Sequence, residues 1–430
     1  MLSTGRLAPF LVAAVLMVSL GGCTATLGPN PAGTPLPVAN CVTKPAVTAR
    51  SWVSADRQIV GSLNGGAVGQ ISHFVYPLGL PHEDEFAPTR PTFTTWAPDG
   101  KHLATFMQVI TPVNQVTLYP FVVDTLTHSV TQVPLPTGLS LSSPTFMEWA
   151  RERGLAWADN HTLLILAPSD VGLGGFLPFH STPLRYDLTT QTVTPLPGVH
   201  DSIQGVVRCG TLFYLAMTEM TEFLACVQNP PSPAFYWNRG AAFLHRYNLA
   251  THTEIGYPYT LGQTSSCPFL NDGKADAMGW DVSADGSLLV YQQTSVTQLS
   301  PFSIQTTSQF MALQFNTTPP TPILIGAQSS EDAYVAIAPD QKDVVVAATM
   351  PFGQPLTAPV YWGTVAGGAA SSLSPSAGGL PAWYADSTGF AASQAGGEIP
   401  DGGLDIEQYQ LGVPNAVGQI ATADHPTSLP

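Results

Sequence analysis

Apolar and polar positions alternate along the chain in short runs broken by turn residues, and only near the N-terminus does a long apolar stretch occur. The clearest passage is Thr94-Thr95-Trp96-Ala97-Pro98-Asp99-Gly100-Lys101, followed by His102-Leu103-Ala104-Thr105-Phe106-Met107. It reads as a strand, a tight turn at Pro-Asp-Gly and a second strand, which is a β-hairpin. The phrase recurs with Ala or Pro directly before a turn Asp. Copies stand at Val53-Ser54-Ala55-Asp56, Ala156-Trp157-Ala158-Asp159, Val282-Ser283-Ala284-Asp285, Ile337-Ala338-Pro339-Asp340 and Trp383-Tyr384-Ala385-Asp386. Apolar runs follow them, such as Leu288-Leu289-Val290-Tyr291 and Val344-Val345-Val346-Ala347. The interval from Asp159 to Asp285 is far longer than the others. Near its middle, Gly205-Val206-Val207-Arg208-Cys209-Gly210 precedes Thr211-Leu212-Phe213-Tyr214, a degenerate seventh copy with Cys-Gly in place of Asp-Gly.

A second hairpin follows the first. Val122-Val123-Asp124-Thr125-Leu126-Thr127 leads into Val130-Thr131-Gln132-Val133, with relatives at Arg185 to Thr189, Arg246 to Ala250 and Gln314 to Thr317. Asp or Asn at such a turn binds its own backbone and tolerates left-handed angles. Two hairpins make four strands, and a unit of about 55 residues matches one propeller blade with long loops. The expected fold is therefore all-β, a β-propeller of four-stranded antiparallel blades over residues 45–430. Seven blades are expected, with six as the alternative. Trp52, Trp96, Trp157, Trp280 and Trp383 share the first-strand position and are expected to pack between neighbouring blades.

Trp96-Ala97-Pro98-Asp99-Gly100-Lys101 resembles the blade motif of TolB-like and WD40-like bacterial propellers. The pattern extends over residues 45 to 422, although only this copy is close and the Trp-Asp and Gly-His signatures of the WD40 family are missing. The resemblance implies a bladed ring. TolB-like proteins are mostly partners in envelope complexes, so it also implies binding rather than catalysis.

Composition narrows the classes. Hydrophobic residues make up 44% of the 430 positions and charged ones 10%, with 39 glycines and 40 prolines. That is enough apolar material for a core, and it favours short strands joined by turns. The formal charge is −15, and the lysines (Lys44, Lys101, Lys274, Lys342) form no cluster with arginine. Nucleic acid is excluded as an expected partner, because a phosphate backbone needs clustered cations.

Arg6 precedes an apolar run from Leu7 to Leu20 that ends in Leu20-Gly21-Gly22-Cys23. The run is short for a bilayer span and has the plan of a secretory signal. The Cys after Leu-Gly-Gly resembles the lipobox of bacterial lipoproteins, which implies a signal peptide over 1–22 and lipid on Cys23. Residues 23–44 then form a lipidated, Pro- and Thr-rich tether containing Pro29, Pro31, Pro35 and Pro37. In a polyproline-like conformation, residues 24–40 would hold the domain up to roughly 50 Å from the membrane. The expected location is the extracytoplasmic side of a bacterial envelope membrane.

Cys41, Cys209, Cys226 and Cys267 permit two disulfides in an exported chain, with three possible pairings. Cys226 and Cys267 are the preferred pair. There is no Cys-x-x-Cys for zinc and no Gly-x-Ser-x-Gly elbow. His82-Glu83-Asp84-Glu85 reads as a solvated loop, and Asn271 to Asp276 lacks the closing Glu of a calcium loop. No catalytic residue, metal or cofactor is assigned. Long connections near 167–183, 217–241, 293–309 and 350–359 carry Phe176, Phe179, His180, Phe235, Tyr236, Trp237, Phe302 and Phe352. Long loops on a rigid scaffold commonly hold binding sites, and aromatics anchor them. The expected role is a monomeric binding or scaffolding module for a protein or glycan. The alternative is a propeller glycosidase or lyase, with carboxylates drawn from different blades.

The lipid reading has a direct test. Cys23→Ser should shift the protein from the membrane fraction to the soluble or uncleaved pool, and unchanged fractionation of a processed variant would contradict it.

Overall fold

The computed structural model describes residues 49–54, 59–63, 69–72, 90–110, 115–144, 153–167, 181–199, 202–217, 242–256, 259–261, 279–300, 303–315, 321–323, 333–348, 360–368, 371–373, 377–394, 405–413 and 418–428. Near the N-terminus run β1 (Ala49–Ser54), β2 (Ile59–Leu63) and β3 (Gly69–Gln70). The next sheet holds β4 (Arg90–Trp96), β5 (His102–Ile110), β6 (Gln115–Asp124) and β7 (Val130–Gln132), with β8 (Leu141–Pro144) also on β6. It is followed by β9 (Leu155–Trp157), β10 (Thr162–Ile165), β11 (Leu184–Asp187) and β12 (Thr192–Pro195). Then come β13 (Ser202–Arg208), β14 (Thr211–Met217), β15 (Ala242–Asn248) and β16 (Thr253–Glu254), with β17 (Tyr259–Leu261) on β15. Two further sheets comprise β18 (Trp280–Val282), β19 (Leu288–Ser300), β20 (Ser303–Gln314) and β21 (Thr321–Ile323), then β22 (Ala333–Ile337), β23 (Asp343–Ala348), β24 (Val360–Thr364) and β25 (Ser371–Leu373). The chain ends with β26 (Ala377–Trp383), β27 (Gly389–Gln394), β28 (Asp405–Gln410) and β29 (Gly418–Ser428).

The fold is all-β among the described residues, built of several four-stranded antiparallel sheets, an arrangement consistent with a propeller. All seven expected hairpins are present as paired strands: β1–β2, β4–β5, β9–β10, β13–β14, β18–β19, β22–β23 and β26–β27. The chain ends share one sheet. β29 pairs with β28 from Gly418↔Gln408 to Thr422↔Asp405, and with β1 from Ala423↔Ser54 to Ser428↔Arg50.

Local chemistry explains the hairpins. The turn carboxylate accepts the amide two residues on: Lys101 N–H to Asp99, His161 to Asp159, Ser287 to Asp285, Lys342 to Asp340 and Thr388 to Asp386, at 2.8–3.1 Å. The residue after the Asp turns left-handed at Gly100, Gly286, Gln341 and Ser387. The degenerate copy reaches the same end differently. Cys209 and Gly210 both have positive φ, 51° and 71°, between the paired residues Arg208 and Thr211. That is a two-residue hairpin loop of the kind that matches strand twist. In the second hairpins Asp124, Asp187 and Asn248 each accept the two amides two and three residues ahead.

Apolar runs arise because sheets are covered on both faces. On β14, Phe213 and Leu215 enter one core while Leu212, Tyr214 and Ala216 enter another. On β23, Val345 and Ala347 face one neighbour and Val344 and Val346 the other. On β10, Leu163 and Ile165 join the core with β5, while Leu164 and, just past the strand, Leu166 join the one with β14. Side chains alternate along a strand, so a strand buried on both sides reads as continuously apolar. Each such aliphatic side chain contributes about 1.5–3 kcal/mol on full burial. Of the five first-strand tryptophans, Trp96, Trp157 and Trp383 reach across to another sheet, and the Trp52 side chain lies outside the described residues. The Trp96 indole donates to Ser51 Oγ at 3.0 Å, Trp157 to Thr95 O at 3.0 Å and Trp383 to Ala336 O at 2.9 Å.

Close approach of backbone requires glycine at Gly205 and, most tightly, at Gly389. A Cβ on Gly389 would stand 2.1 Å from the Tyr409 carbonyl oxygen on β28. Backbone cannot yield as a flexible side chain does, so Gly389→Ala should cost about 2–3 kcal/mol, read from urea unfolding midpoints. A cost below about 1 kcal/mol would contradict this β27–β28 packing.

Candidate functional site

The chain carries few charges, so charged side chains in or beside the first strands stand out. Arg153 lies two residues before β9, Arg208 ends β13 and Asp281 lies in β18, at three successive sheets. The Asp281 carboxylate lies 3.6 Å from the Arg153 guanidinium and 3.8 Å from that of Arg208. Its Oδ1 accepts the Val282 N–H and its Oδ2 accepts the Ile337 N–H from β22, both at 2.9 Å. One carboxylate thereby touches side chains or backbone of four sheets.

Both arginines are also held by carbonyls. Arg153 donates to Trp280 O, and its guanidinium lies 4.8 Å from the centre of the Trp280 ring, within cation–π range. Arg208 donates through Nε to Val282 O at 3.1 Å and through a terminal nitrogen to Val207 O at 3.2 Å. Burial depresses the Arg208 pKa; the Asp281 charge opposes that effect and the Arg153 charge adds to it. The group nonetheless stays cationic at neutral pH, because arginine starts so high.

A second cluster lies further out. Tyr214 on β14 stacks on His245 on β15, with ring centres 4.8 Å apart and planes 16° apart. The Tyr214 hydroxyl donates to Glu254 Oε1 on β16, whose other oxygen is 3.6 Å from His245 Nδ1. Burial raises the Tyr214 pKa, and the hydrogen bond and charge of Glu254 raise it further. A phenol so held is a donor rather than a nucleophile, and the cluster ties three adjacent strands.

The turn carboxylates are committed locally. Hydrogen bonds led by the Thr190 amide hold Asp187 below the usual carboxylate pKa. Asp285 accepts from Ser283 Oγ at 2.7 Å and from both the amide and hydroxyl of Ser287. Among the described residues no group of three or more His, Cys, Asp or Glu side chains is placed to hold a metal ion, and no helix is long and apolar enough to cross a membrane.

The expected binding residues Phe176, Phe179, His180, Tyr236, Trp237, Phe302 and Phe352 lie outside the described residues, as do Cys23, Cys226 and Cys267. Their positions in the chain are nonetheless ordered: each segment that carries the aromatics joins the second strand of a sheet to the third. One expectation changes. Residues 293–309 were expected as a loop, but β19 and β20 continue their ladder through Gln293↔Gln309 and Thr297↔Gln305 to Ser300↔Ser303. Only Pro301 and Phe302 separate the two strands. Cys209 is disulfide-bonded, with its partner outside the described residues.

The Arg153–Arg208–Asp281 cluster has no local motif. Its one sequence signal is a charged residue inside an otherwise uncharged strand, as at Trp280-Asp281-Val282.

No protein-family model matches the sequence, and no curated protein matches it either. Among solved structures, the chain is similar to an oligogalacturonate lyase in complex with manganese, at 12% identity and TM-score 0.43, covering 82% of this chain and 88% of that one. It is also similar to a TolB from Agrobacterium tumefaciens, at 12% identity and TM-score 0.36, covering 76% and 87%. A dipeptidyl peptidase 4 from Porphyromonas gingivalis is similar at 10% identity and TM-score 0.43; 86% of this chain is covered, but only 58% of that one. The likeness is distant and transfers no activity or site to this chain.

Removing the shared carboxylate tests the cluster. Asp281→Asn leaves two guanidiniums facing each other without a counter-charge and should cost about 3–5 kcal/mol of unfolding free energy. A loss under about 1 kcal/mol would mean that the cluster is solvated and does not tie the sheets.

Proposed function

We propose that the protein is a lipid-anchored, extracytoplasmic, seven-bladed β-propeller that binds a protein or glycan partner through one face of the ring. Seven hairpin units support the blade number; the described strands fall into six sheets because β29 joins the first hairpin to the last unit, and that junction supports closure by the two chain ends. Closure removes exposed sheet edges, which explains the use of a C-terminal strand in this way. The Leu20-Gly21-Gly22-Cys23 segment supports the anchor, and the disulfide at Cys209 suits an exported chain. With Cys23 lipidated, the preferred Cys226–Cys267 pair leaves Cys41 as the partner of Cys209.

The observation that carries the choice of face is how the turns are satisfied. First-to-second and third-to-fourth strand turns emerge on one face, and their carboxylates and amides are bonded to each other at Asp99, Asp124, Asp159, Asp187, Asp285, Asp340 and Asp386. In an antiparallel blade the second and third strands are joined at their opposite ends, and by sequence position those connections include the segments holding Tyr236 and Trp237. The partner face is therefore assigned to that side, with Tyr236 and Trp237 as its principal contacts. The alternative, a carbohydrate lyase or glycosidase, calls for paired carboxylates free to act on a glycosidic bond. Among the described residues the turn carboxylates serve their own backbones and Asp281 lies between two arginines.

The double substitution Tyr236→Ala, Trp237→Ala should abolish capture of envelope glycans or cross-linked envelope proteins that the wild type captures, with nearly unchanged melting. A large drop in melting temperature would show that these are packing residues and overturn the assignment.

A further inference from the structure

The ionic cluster does not balance. Arg153 and Arg208 bring two positive charges, and Asp281 is the single carboxylate they share among the described residues. The Arg153 and Asp281 side chains are 9% and 10% exposed. An uncompensated guanidinium in such a setting is costly, and proteins ordinarily pair it. A second deficit lies against the first. The Trp280 indole N–H is fully buried, has no acceptor among the described residues, and belongs to the ring over which the Arg153 guanidinium stacks. An indole nitrogen can only donate, and buried donors nearly always find an acceptor.

Position adds a third point. The Arg153 carbonyl accepts the Gly205 N–H from β13, yet its guanidinium reaches Trp280 O on β18, the first strand of the sheet after that. The side chain therefore passes along the edge of β13 rather than staying between two neighbouring sheets. Beside Gly205 stands Gln204, fully buried, with both amide atoms lacking a partner among the described residues. Arg208, with 19% of its side chain exposed, is the cluster's most open member.

We propose that Arg153, Arg208 and the Trp280 indole form a binding site for a carboxylate group of a ligand. One excess positive charge matches a monoanion, whereas a phosphate dianion would leave the site over-compensated. Guanidinium forks present paired N–H donors that suit the planar carboxylate, and the indole N–H supplies a further donor. The site lies on β13, on β18 and on the residue that leads into β9, and it does not depend on the partner face assigned above.

The test uses the full chain with 15N-labelled tryptophan indoles, titrated with sodium acetate in exchange for sodium chloride at constant ionic strength. Trp280→Phe identifies the resonance by its loss. The Trp280 indole signal should move saturably with acetate while the other indoles stay still, and Arg208→Gln should weaken the apparent affinity by about tenfold or more. Arg208→Lys, which keeps the charge but loses the fork, should also weaken it and serves if the glutamine variant does not fold. A Trp280 signal that ignores acetate in the wild type overturns the proposal. So does an unchanged affinity in a folded Arg208 variant, or a response to added chloride as strong as that to acetate.

Discussion

A hairpin unit of this chain cannot cover its own two apolar faces, so each unit needs a neighbour on both sides. That constraint organises the rest. Leu163 and Leu164, adjacent in sequence, enter different cores. Polar contacts follow the same direction and fix the order of stacking. The residue after a turn Asp reaches back to the preceding unit: Asn160 accepts the Asp99 N–H and Ser387 accepts the Asp340 N–H, each at 3.0 Å. The Trp157 and Trp383 indoles do the same from the first strands. A linear stack of such units would end in two uncovered faces. β29 pairs with β1, which puts the first and last units in one sheet, and the proposed ring would leave no such ends.

Charge is used sparingly and in two ways. Turn aspartates are exposed or half-exposed, and their carboxylates mainly satisfy their own loops. Asp281 is buried and acts over long range, joining elements far apart in sequence. A buried ion cluster is costly to assemble and more costly to break. The outer Tyr214–His245–Glu254 group is satisfied within one sheet and calls for no ligand.

The hairpins were legible in the sequence because their chemistry is local: Asp99 binds an amide two residues away, and Gly100 or Gly286 supplies the left-handed angle. The tryptophan role was legible because one position repeats. The Arg153–Arg208–Asp281 site was not, since its members belong to three units and their pairing depends on how sheets stack. The β19–β20 ribbon reads as a loop in the sequence because Gln, Ser and Thr dominate residues 293–309, although Val296 and Ile304 keep some β character. Polar composition marks exposure, not the absence of a ladder. The aromatic positions from Phe176 to Phe352 lie outside the described residues, so their role rests on the connectivity of the strands around them.

The central claim is that the ring of units is closed by its own chain ends, and hydrogen exchange over residues 418–428 tests it most directly. Closure predicts that β29 amides are protected to the same degree as those of β27, which lies inside the same sheet. Exchange of 418–428 at the rate of free chain, with β27 still protected, would contradict closure and leave an open stack with a loose tail.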